Sequence, residues 1–280
     1  MDHAALTDLR TFYETFGDLP LPAGVRATET TLGGVPALDV RLPGRGAAAP
    51  AGTLLYLHGG GYTIGSARTG LPLAARLAAG AALNAVVLDY RLAPEHPYPA
   101  AVADALAAYE ALVTERDPAR VVLAGDSAGA GLALATVVAA RDRGLPLPAA
   151  VAAFSGWFDL TASGASLTGK EAVDPVFDAS DIVDYAATYL AGADADQPLA
   201  SPLLADLSGL PPLLLQVGTY EVLLDDSTRL AARAAAADVD VLLEVYAGQA
   251  HVFQHHHGSE PTAARALESA SAFLARAVAR

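Results

Sequence analysis

The sequence predicts an α/β fold, in which a mostly parallel central sheet is flanked by helices. Short apolar runs typical of buried strands recur along the 280 residues, and Ala- and Leu-rich stretches long enough for helices lie between them. Hydrophobic residues make up 53% of the chain and charged residues 17%, which is typical of a globular protein. One core is sufficient for this length, so we expect a single domain over residues 1–280.

Six apolar runs are the predicted strands: Thr53 to Leu57, Ala85 to Leu88, Arg120 to Ala124, Ala149 to Phe154, Leu213 to Val217 and Val239 to Tyr246. The predicted helices are Tyr98 to Thr114, Ala128 to Arg143, Asp225 to Ala237 and Pro261 to Val278. Two segments break the alternation. About the first 24 residues look helical as far as Phe16, and residues 156–201 are polar apart from a helical piece from Asp181 to Leu190. We expect these two segments to form a helical cap.

Composition excludes several classes of function. The 17 basic and 31 acidic residues give a net charge of −14, which repels nucleic acid and anionic membrane surfaces. The chain has no cysteine, so thiolate catalysis and disulfides are excluded. Charged residues interrupt the N-terminal segment, unlike the apolar centre of a signal peptide, and apolar stretches are broken before the roughly 20 residues of a membrane span. We therefore expect a cytoplasmic protein without a transmembrane segment.

The strongest motif is Gly125-Asp126-Ser127-Ala128-Gly129, which lies between a predicted strand and a predicted helix. A nucleophile elbow requires small residues beside the serine because the strand-to-helix turn is sharp and strained. The alternative is an ordinary glycine-rich turn, and the flanking strand and helix favour the elbow. Ser127 is therefore the predicted nucleophile.

A second motif, His58-Gly59-Gly60-Gly61, follows the strand Thr53 to Leu57. Glycines allow the backbone to approach a substrate carbonyl and to present amides to developing negative charge. Alone, the motif would indicate only a flexible turn. Upstream of an elbow it predicts an oxyanion hole formed by Gly60, Gly61 and the amide of Ala128.

A serine nucleophile requires a base, and histidine is best suited to that role near neutral pH. In α/β-hydrolases the base follows the nucleophile along the chain, which leaves His251, His255, His256 and His257. His251 lies soon after the last predicted strand, where the base should reach the serine. A metal site at the other three is disfavoured because consecutive side chains diverge, so we interpret them as a solvated loop.

The acid that orients the histidine should follow the strand Leu213 to Val217, and three carboxylates compete there. Asp225 and Asp226 are typical of the first turn of a helix, where acidic side chains complement the exposed amides. Glu221 lies in the loop itself and is therefore the preferred candidate. An exposed carboxylate without a role is the alternative for Glu221.

Nearly the whole chain resembles the hormone-sensitive-lipase-like, or bacterial family IV, α/β-hydrolases, which include acetyl esterases and carboxylesterases. The resemblance depends on four motifs in order: His58 to Tyr62, Asp89 to Pro97, Gly125 to Gly129 and Glu221 to Asp226. It implies an α/β-hydrolase fold with a helical cap, scaffold roles for His58 and Asp126, and a buried ion pair or loop hydrogen bonds for Arg91 and Glu95. Most members carry Asp where Glu221 stands, which keeps Asp225 as the second candidate.

The resemblance implies a serine hydrolase that cleaves short-chain carboxylic esters through an acyl-enzyme, without a metal or organic cofactor. Amide or lactone hydrolysis and acyl transfer use the same triad and stay open. A non-catalytic small-molecule receptor on the same fold is the alternative of another class. The predicted substrate contacts are aromatic residues, Tyr62, Trp157, Tyr185 and Tyr189. A homodimer formed through edge strands is compatible with this group.

Overall fold

The computed structural model describes residues 3–43 and 51–279, which contain one eight-stranded sheet. Its strands are β1 Arg26–Leu32, β2 Val35–Arg41, β3 Thr53–Leu57, β4 Asn84–Leu88, β5 Val121–Asp126, β6 Ala150–Phe154, β7 Leu213–Gly218 and β8 Val241–Tyr246. They lie in the order β1-β2-β4-β3-β5-β6-β7-β8. β2 is antiparallel to both of its neighbours, and β3 to β8 are parallel. The predicted mostly parallel α/β sheet is confirmed.

Eight α-helices surround this sheet in the described ranges. They are α1 His3–Glu14, α2 Ala67–Ala81, α3 Ala100–Glu115, α4 Ala128–Asp142, α5 Ser166–Gly169, α6 Ala179–Leu190, α7 Leu224–Ala236 and α8 Pro261–Val278. Successive strand side chains point to opposite faces, so an apolar run buries both faces of the sheet. In β3, Leu55 and Leu57 pack in the cluster that contains α3, α4 and α7. Leu54 and Tyr56 pack in the cluster that contains α2 and α8.

The six predicted strands and the four predicted crossover or terminal helices are all present, with ends shifted by two residues at most. The β1–β2 hairpin escaped prediction because β1 is polar and mostly exposed, without an apolar run. Its turn is marked only by Gly33 and Gly34, both at positive φ. Helix α2 escaped because it contains Pro72 and two glycines, which usually interrupt helices. None of the helices in the described ranges is long and apolar enough to cross a membrane.

The long connection between β6 and β7, residues 155–212, is attached to α7 by buried polar contacts. One oxygen of the Asp226 carboxylate accepts the amides of Phe158 and Asp159, at 2.7 and 2.9 Å. Arg229, one turn further along α7, pairs with Asp159 at 2.8 Å. Burial raises the pKa of Asp226 to about 7, and the neighbouring negative charge of Asp159 adds to this effect, while the bond from the Phe158 amide opposes it.

The raised pKa of Asp226 predicts a pH-dependent stability. The folded chain retains this proton up to about pH 7, whereas an unfolded chain releases it near its ordinary pKa of 3.8. This carboxyl group therefore contributes stability that is complete below about pH 4 and is lost as the pH rises to about 7. The free energy of unfolding of Asp226→Asn minus that of wild type is therefore expected to increase by about 2–4 kcal/mol when the pH is raised from about 4.5 to about 7.5.

Urea denaturation of both proteins at the two pH values measures this difference. The contribution of titrating groups that do not interact with Asp226 is shared by both proteins and cancels. If the difference in free energy of unfolding between the two proteins were the same at both pH values, Asp226 would have its ordinary pKa in the folded protein and the prediction would be wrong.

Candidate active site

The predicted functional residues follow the carboxyl ends of parallel strands. His58 to Gly61 follow β3, Ser127 follows β5, Glu221 follows β7 and His251 follows β8. Because parallel strands end at the same edge of a sheet, their loops share one side of the molecule, where α/β proteins bind ligands. The sheet order therefore brings motifs that are far apart in the sequence into one region.

Ser127 lies at a strained turn between β5 and α4. Its backbone has φ 53° and ψ −124°, a conformation that residues with side chains rarely adopt. A Cβ atom on Gly129 would lie 2.1 Å from the carbonyl oxygen of Leu57, and one on Gly125 would lie 2.4 Å from the Gly129 oxygen. The two flanking glycines are thus required because backbone packs directly against backbone. This geometry agrees with the nucleophile elbow that the sequence predicts.

The glycine loop after β3 has free amides beside this turn. Gly60 and Gly61 have φ values of 115° and 58°, and the Gly60 carbonyl accepts the amide of Ile64 at 3.0 Å. Within the described chain, the amides of Gly60, Gly61 and Ala128 donate to no other residue. Ala128 begins α4, whose N-terminus carries partial positive charge. These three donors are suited to an oxyanion.

Buried polar residues support the glycine loop and the elbow. The carboxylate of Asp126 accepts a hydrogen bond from the Tyr56 hydroxyl at 2.6 Å. Burial raises the pKa of Asp126, while that bond and the nearby His58 and His251 oppose the shift. His58 stacks on Tyr90 with ring centroids 4.3 Å apart, and burial lowers its pKa. These contacts agree with the scaffold role that we expected for Asp126 and His58.

His251 and Glu221 form a buried pair. The Nδ1 of His251 lies 3.0 Å from Oε2 of Glu221, and the Glu221 side chain has no exposed surface. The other carboxylate oxygen of Glu221 accepts the Gly218 amide and, at 2.7 Å, the Ser155 hydroxyl. Ser155 also accepts the amide of Val252 at 3.0 Å. The acid, the histidine loop and the end of β6 are therefore joined in one network.

The other candidate acids and histidines lie elsewhere. Asp225 is in the first turn of α7, and its carboxylate accepts the amide of Ser166 at 2.9 Å. Of the three competing carboxylates, only Glu221 contacts His251. The interpretation of the His255 to His257 trio as a solvated loop is wrong for His255, which packs against Phe16 with ring centroids 5.4 Å apart. Burial lowers the pKa of His255 to about 4.

Ser155 is a site residue that sequence reasoning missed. It has φ 48°, and its single hydroxyl group connects Glu221 with the loop that carries His251. The available signal was its position directly after the apolar run that forms β6. In a parallel sheet that position lies at the same edge as Ser127 and Glu221.

All four aromatic residues predicted to contact substrate are buried, and three of them pack against one another. Tyr62 and Tyr189 stack with centroids 3.9 Å apart, and Trp157 lies 6.1 Å from Tyr62. Their exposed fractions are 2%, 1% and 1%, so in this structure they present almost no surface to a ligand. The fourth, Tyr185, is 8% exposed, and its ring covers the glycine loop after β3: a Cβ atom on Gly61 would lie 2.5 Å from it.

Helix α1 holds the loop after β4. Arg10 donates to the carbonyl of Ala93 at 3.0 Å and to the carboxylate of Glu95 at 2.7 Å. Of the two roles expected for Arg91 and Glu95, the structure has hydrogen bonds within and around the loop rather than a buried ion pair between these two residues. Arg91 binds Asp104 at 2.6 Å instead, and both Arg91 and Glu95 are about half exposed, at 49% and 46% of their side-chain area.

Comparisons with known proteins agree with this geometry. Residues 54–255 match the model of a family described as having the alpha/beta hydrolase fold. The chain is 46% identical over 262 residues to an acetyl-hydrolase of Streptomyces hygroscopicus, and the alignment covers 93% of this chain and 85% of the relative. It is 38% identical over 254 residues to the putative acetyl-hydrolase LipR of Mycobacterium tuberculosis, covering 90% and 81% of the two chains.

A solved structure extends the agreement to the whole fold. The crystal structure of an esterase from the bacterial hormone-sensitive lipase family superimposes with a TM-score of 0.93 at 45% identity, covering 98% of this chain and 92% of the other. The chain belongs to the α/β-hydrolase family, in the branch of the bacterial hormone-sensitive lipases.

Proposed function

We propose that this protein is a serine hydrolase that cleaves short-chain carboxylic esters, with Ser127, His251 and Glu221 as its triad. The observation that carries the proposal is the buried contact of 3.0 Å between His251 and Glu221, at the same sheet edge as the strained Ser127. Similarity to proteins named acetyl-hydrolase and esterase supports the same class of reaction.

The proposed mechanism follows from the hydrogen-bonding roles of the triad. An ionised Glu221 only accepts hydrogen bonds, so the Nδ1 of His251 carries the proton and its Nε2 is left as a base. Nε2 takes the proton of Ser127 while Oγ attacks the ester carbonyl carbon. The amides of Gly60, Gly61 and Ala128 stabilise the oxyanion. Nε2 then protonates the departing alcohol, and water activated by the same histidine releases the acid.

The remaining expectations concern the surroundings of the site. We propose that the N-terminal residues to about 24 and residues 156–201 form a cap on one domain, because Arg10 binds the loop beside the site and Tyr185 covers Gly61. Short acyl groups, a cytoplasmic location and a homodimer stay predictions. The exposed Leu242 and Val245 on the edge strand β8 are compatible with a dimer formed through that edge.

Substitution of the triad tests the proposed function. We expect wild type to hydrolyse p-nitrophenyl esters of short acids, Ser127→Ala to lose that activity, and Glu221→Gln to lose about 10³–10⁴-fold in kcat because the amide does not stabilise the imidazolium. Asp225→Asn is the matched control, since its carboxylate contacts Ser166 rather than His251. Release of p-nitrophenolate measures the rates, and circular dichroism checks each fold.

The outcomes separate the alternatives. If Asp225→Asn lost activity and Glu221→Gln did not, the assignment of Glu221 as the triad acid would be wrong. A folded wild type without ester turnover would contradict the esterase proposal and favour an amide, a lactone, an acyl acceptor other than water, or a receptor function.

The elbow glycine provides a test of the oxyanion geometry. A Cβ atom on Gly129 would lie 2.1 and 2.3 Å from the carbonyl oxygens of Leu57 and His58, so Gly129→Ala must push α4 away from the glycine loop. We expect kcat to fall about 100-fold or more because donors on both sides of the oxyanion are displaced. Gly169→Ala is the control, since a Cβ atom there meets nothing within 4 Å. A folded Gly129→Ala with wild-type kcat would refute this account.

A further inference from the structure

Phe177 lies against the histidine of the site. Its ring meets His251 edge-on, with centroids 5.0 Å apart and planes at 75°. It meets Tyr185 in the same way, at 6.1 Å and 85°. Tyr185 in turn covers Gly61, where a Cβ atom would lie 2.5 Å from its ring. The two aromatic side chains therefore extend from the oxyanion loop to the base.

The position beside the base defines which part of a substrate would approach Phe177. In the tetrahedral intermediate the oxyanion points to the amides of Gly60 and Gly61, whereas the alcohol oxygen lies next to Nε2 of His251, which protonates it. The group attached to that oxygen therefore leaves the site on the side of the histidine. Phe177 is partly exposed and contacts this histidine, so it borders the alcohol portion rather than the oxyanion.

One carboxylate holds this aromatic residue in place. Oδ1 of Asp174 accepts the amides of Val176 and Phe177, at 2.8 and 3.2 Å. Oδ2 accepts the amide of Val222 at 2.8 Å. Val222 directly follows Glu221, so Asp174 joins the segment that carries Phe177 to the loop that carries the triad acid.

We propose that Phe177 limits the size of the alcohol portion of the ester, and that Asp174 is a positioning residue that acts through it. This inference rests on the proposed function, which it deepens by assigning one wall of the substrate pocket. The contact with His251 determines the side of the scissile bond on which Phe177 acts. The three hydrogen bonds of Asp174 determine how far Phe177 lies from the loop that carries Glu221.

The experiment compares acetate esters of methanol, butanol and octanol with methyl esters of acetic, butyric and octanoic acids, followed by acid release in a pH-stat. We expect Phe177→Ala to raise the ratio of kcat/KM for octyl acetate over methyl acetate about tenfold or more, because the wall is removed. The ratio for methyl octanoate over methyl acetate should stay within about twofold of wild type. Val176→Ala is the matched control, from the same loop with 48% exposure.

Asp174 is tested in the same assay. We expect Asp174→Ala to raise the alcohol ratio in the same direction and to lower kcat for methyl acetate, since the acid loop also loses a bond. If Asp174 acts through Phe177, Asp174→Ala combined with Phe177→Ala should not raise the ratio beyond Phe177→Ala alone. A merely structural role would lower all rates in proportion and leave the ratio unchanged.

The failure of this inference is distinguishable from failure of the proposed function. A wild type that cleaves none of the esters would remove the function and the inference together. A wild type that cleaves methyl acetate, is inactivated by Ser127→Ala and keeps its alcohol ratio in a folded Phe177→Ala would overturn only the inference. A change in the acyl ratio alone would also overturn it, because Phe177 would then border the acid side.

Discussion

The close approach of the β5–α4 turn to the end of β3 determines the rest of the site. A Cβ atom on Gly129 would lie 2.1 Å from the carbonyl oxygen of Leu57 and 2.3 Å from that of His58. With glycine there, α4 begins directly beside the glycine loop, and Ser127 is held at φ 53° between them. Strain of this kind costs about 1–3 kcal/mol and persists only where the surroundings determine the conformation. The parallel strands on both sides of β5 are those surroundings.

The proposed base, His251, and the proposed acid, Glu221, are held by the same sheet through different contacts. His251 is carried by a loop after β8, which pairs only with β7 among the described residues. Residues that follow the two neighbouring strands hold His251 in position. Glu221, after β7, contacts its Nδ1, and Ser155, after β6, contacts both Glu221 and Val252. A serine hydroxyl is well suited here because it donates to the carboxylate and accepts from the amide at once. The edge loop is thereby tied to the centre of the sheet.

The residues proposed to do chemistry could be selected from the sequence, whereas residues that pack could not be told apart from residues that bind substrate. Ser127 and the glycines are predictable because the elbow restricts both the side chains and their order along the chain. Glu221 was preferred over Asp225 from its loop position, and the contact with His251 agrees with that choice. Tyr62 and Tyr189 were expected at the substrate, yet they stack on each other. An aromatic side chain has no local signature that separates packing from binding, because both use the same apolar ring. The polar β1 and the proline-containing α2 depend on tertiary contacts that no local pattern encodes.

The connection between β6 and β7 makes two sets of contacts at the proposed site, and both depend on the position of its backbone. Its Asp174 and Ser166 contact the acid loop, through the amide and the carbonyl of Val222. The same segment carries Phe177 to His251 and leads into α6, which carries Tyr185 to Gly61. A change that reshapes the aromatic wall by moving this segment would also move the frame of Glu221, whereas a change of a single aromatic side chain would not. Substrate range is therefore expected to change most readily at ring positions such as Phe177, because Asp174 holds the backbone around Phe177 and also binds the amide of Val222, next to Glu221.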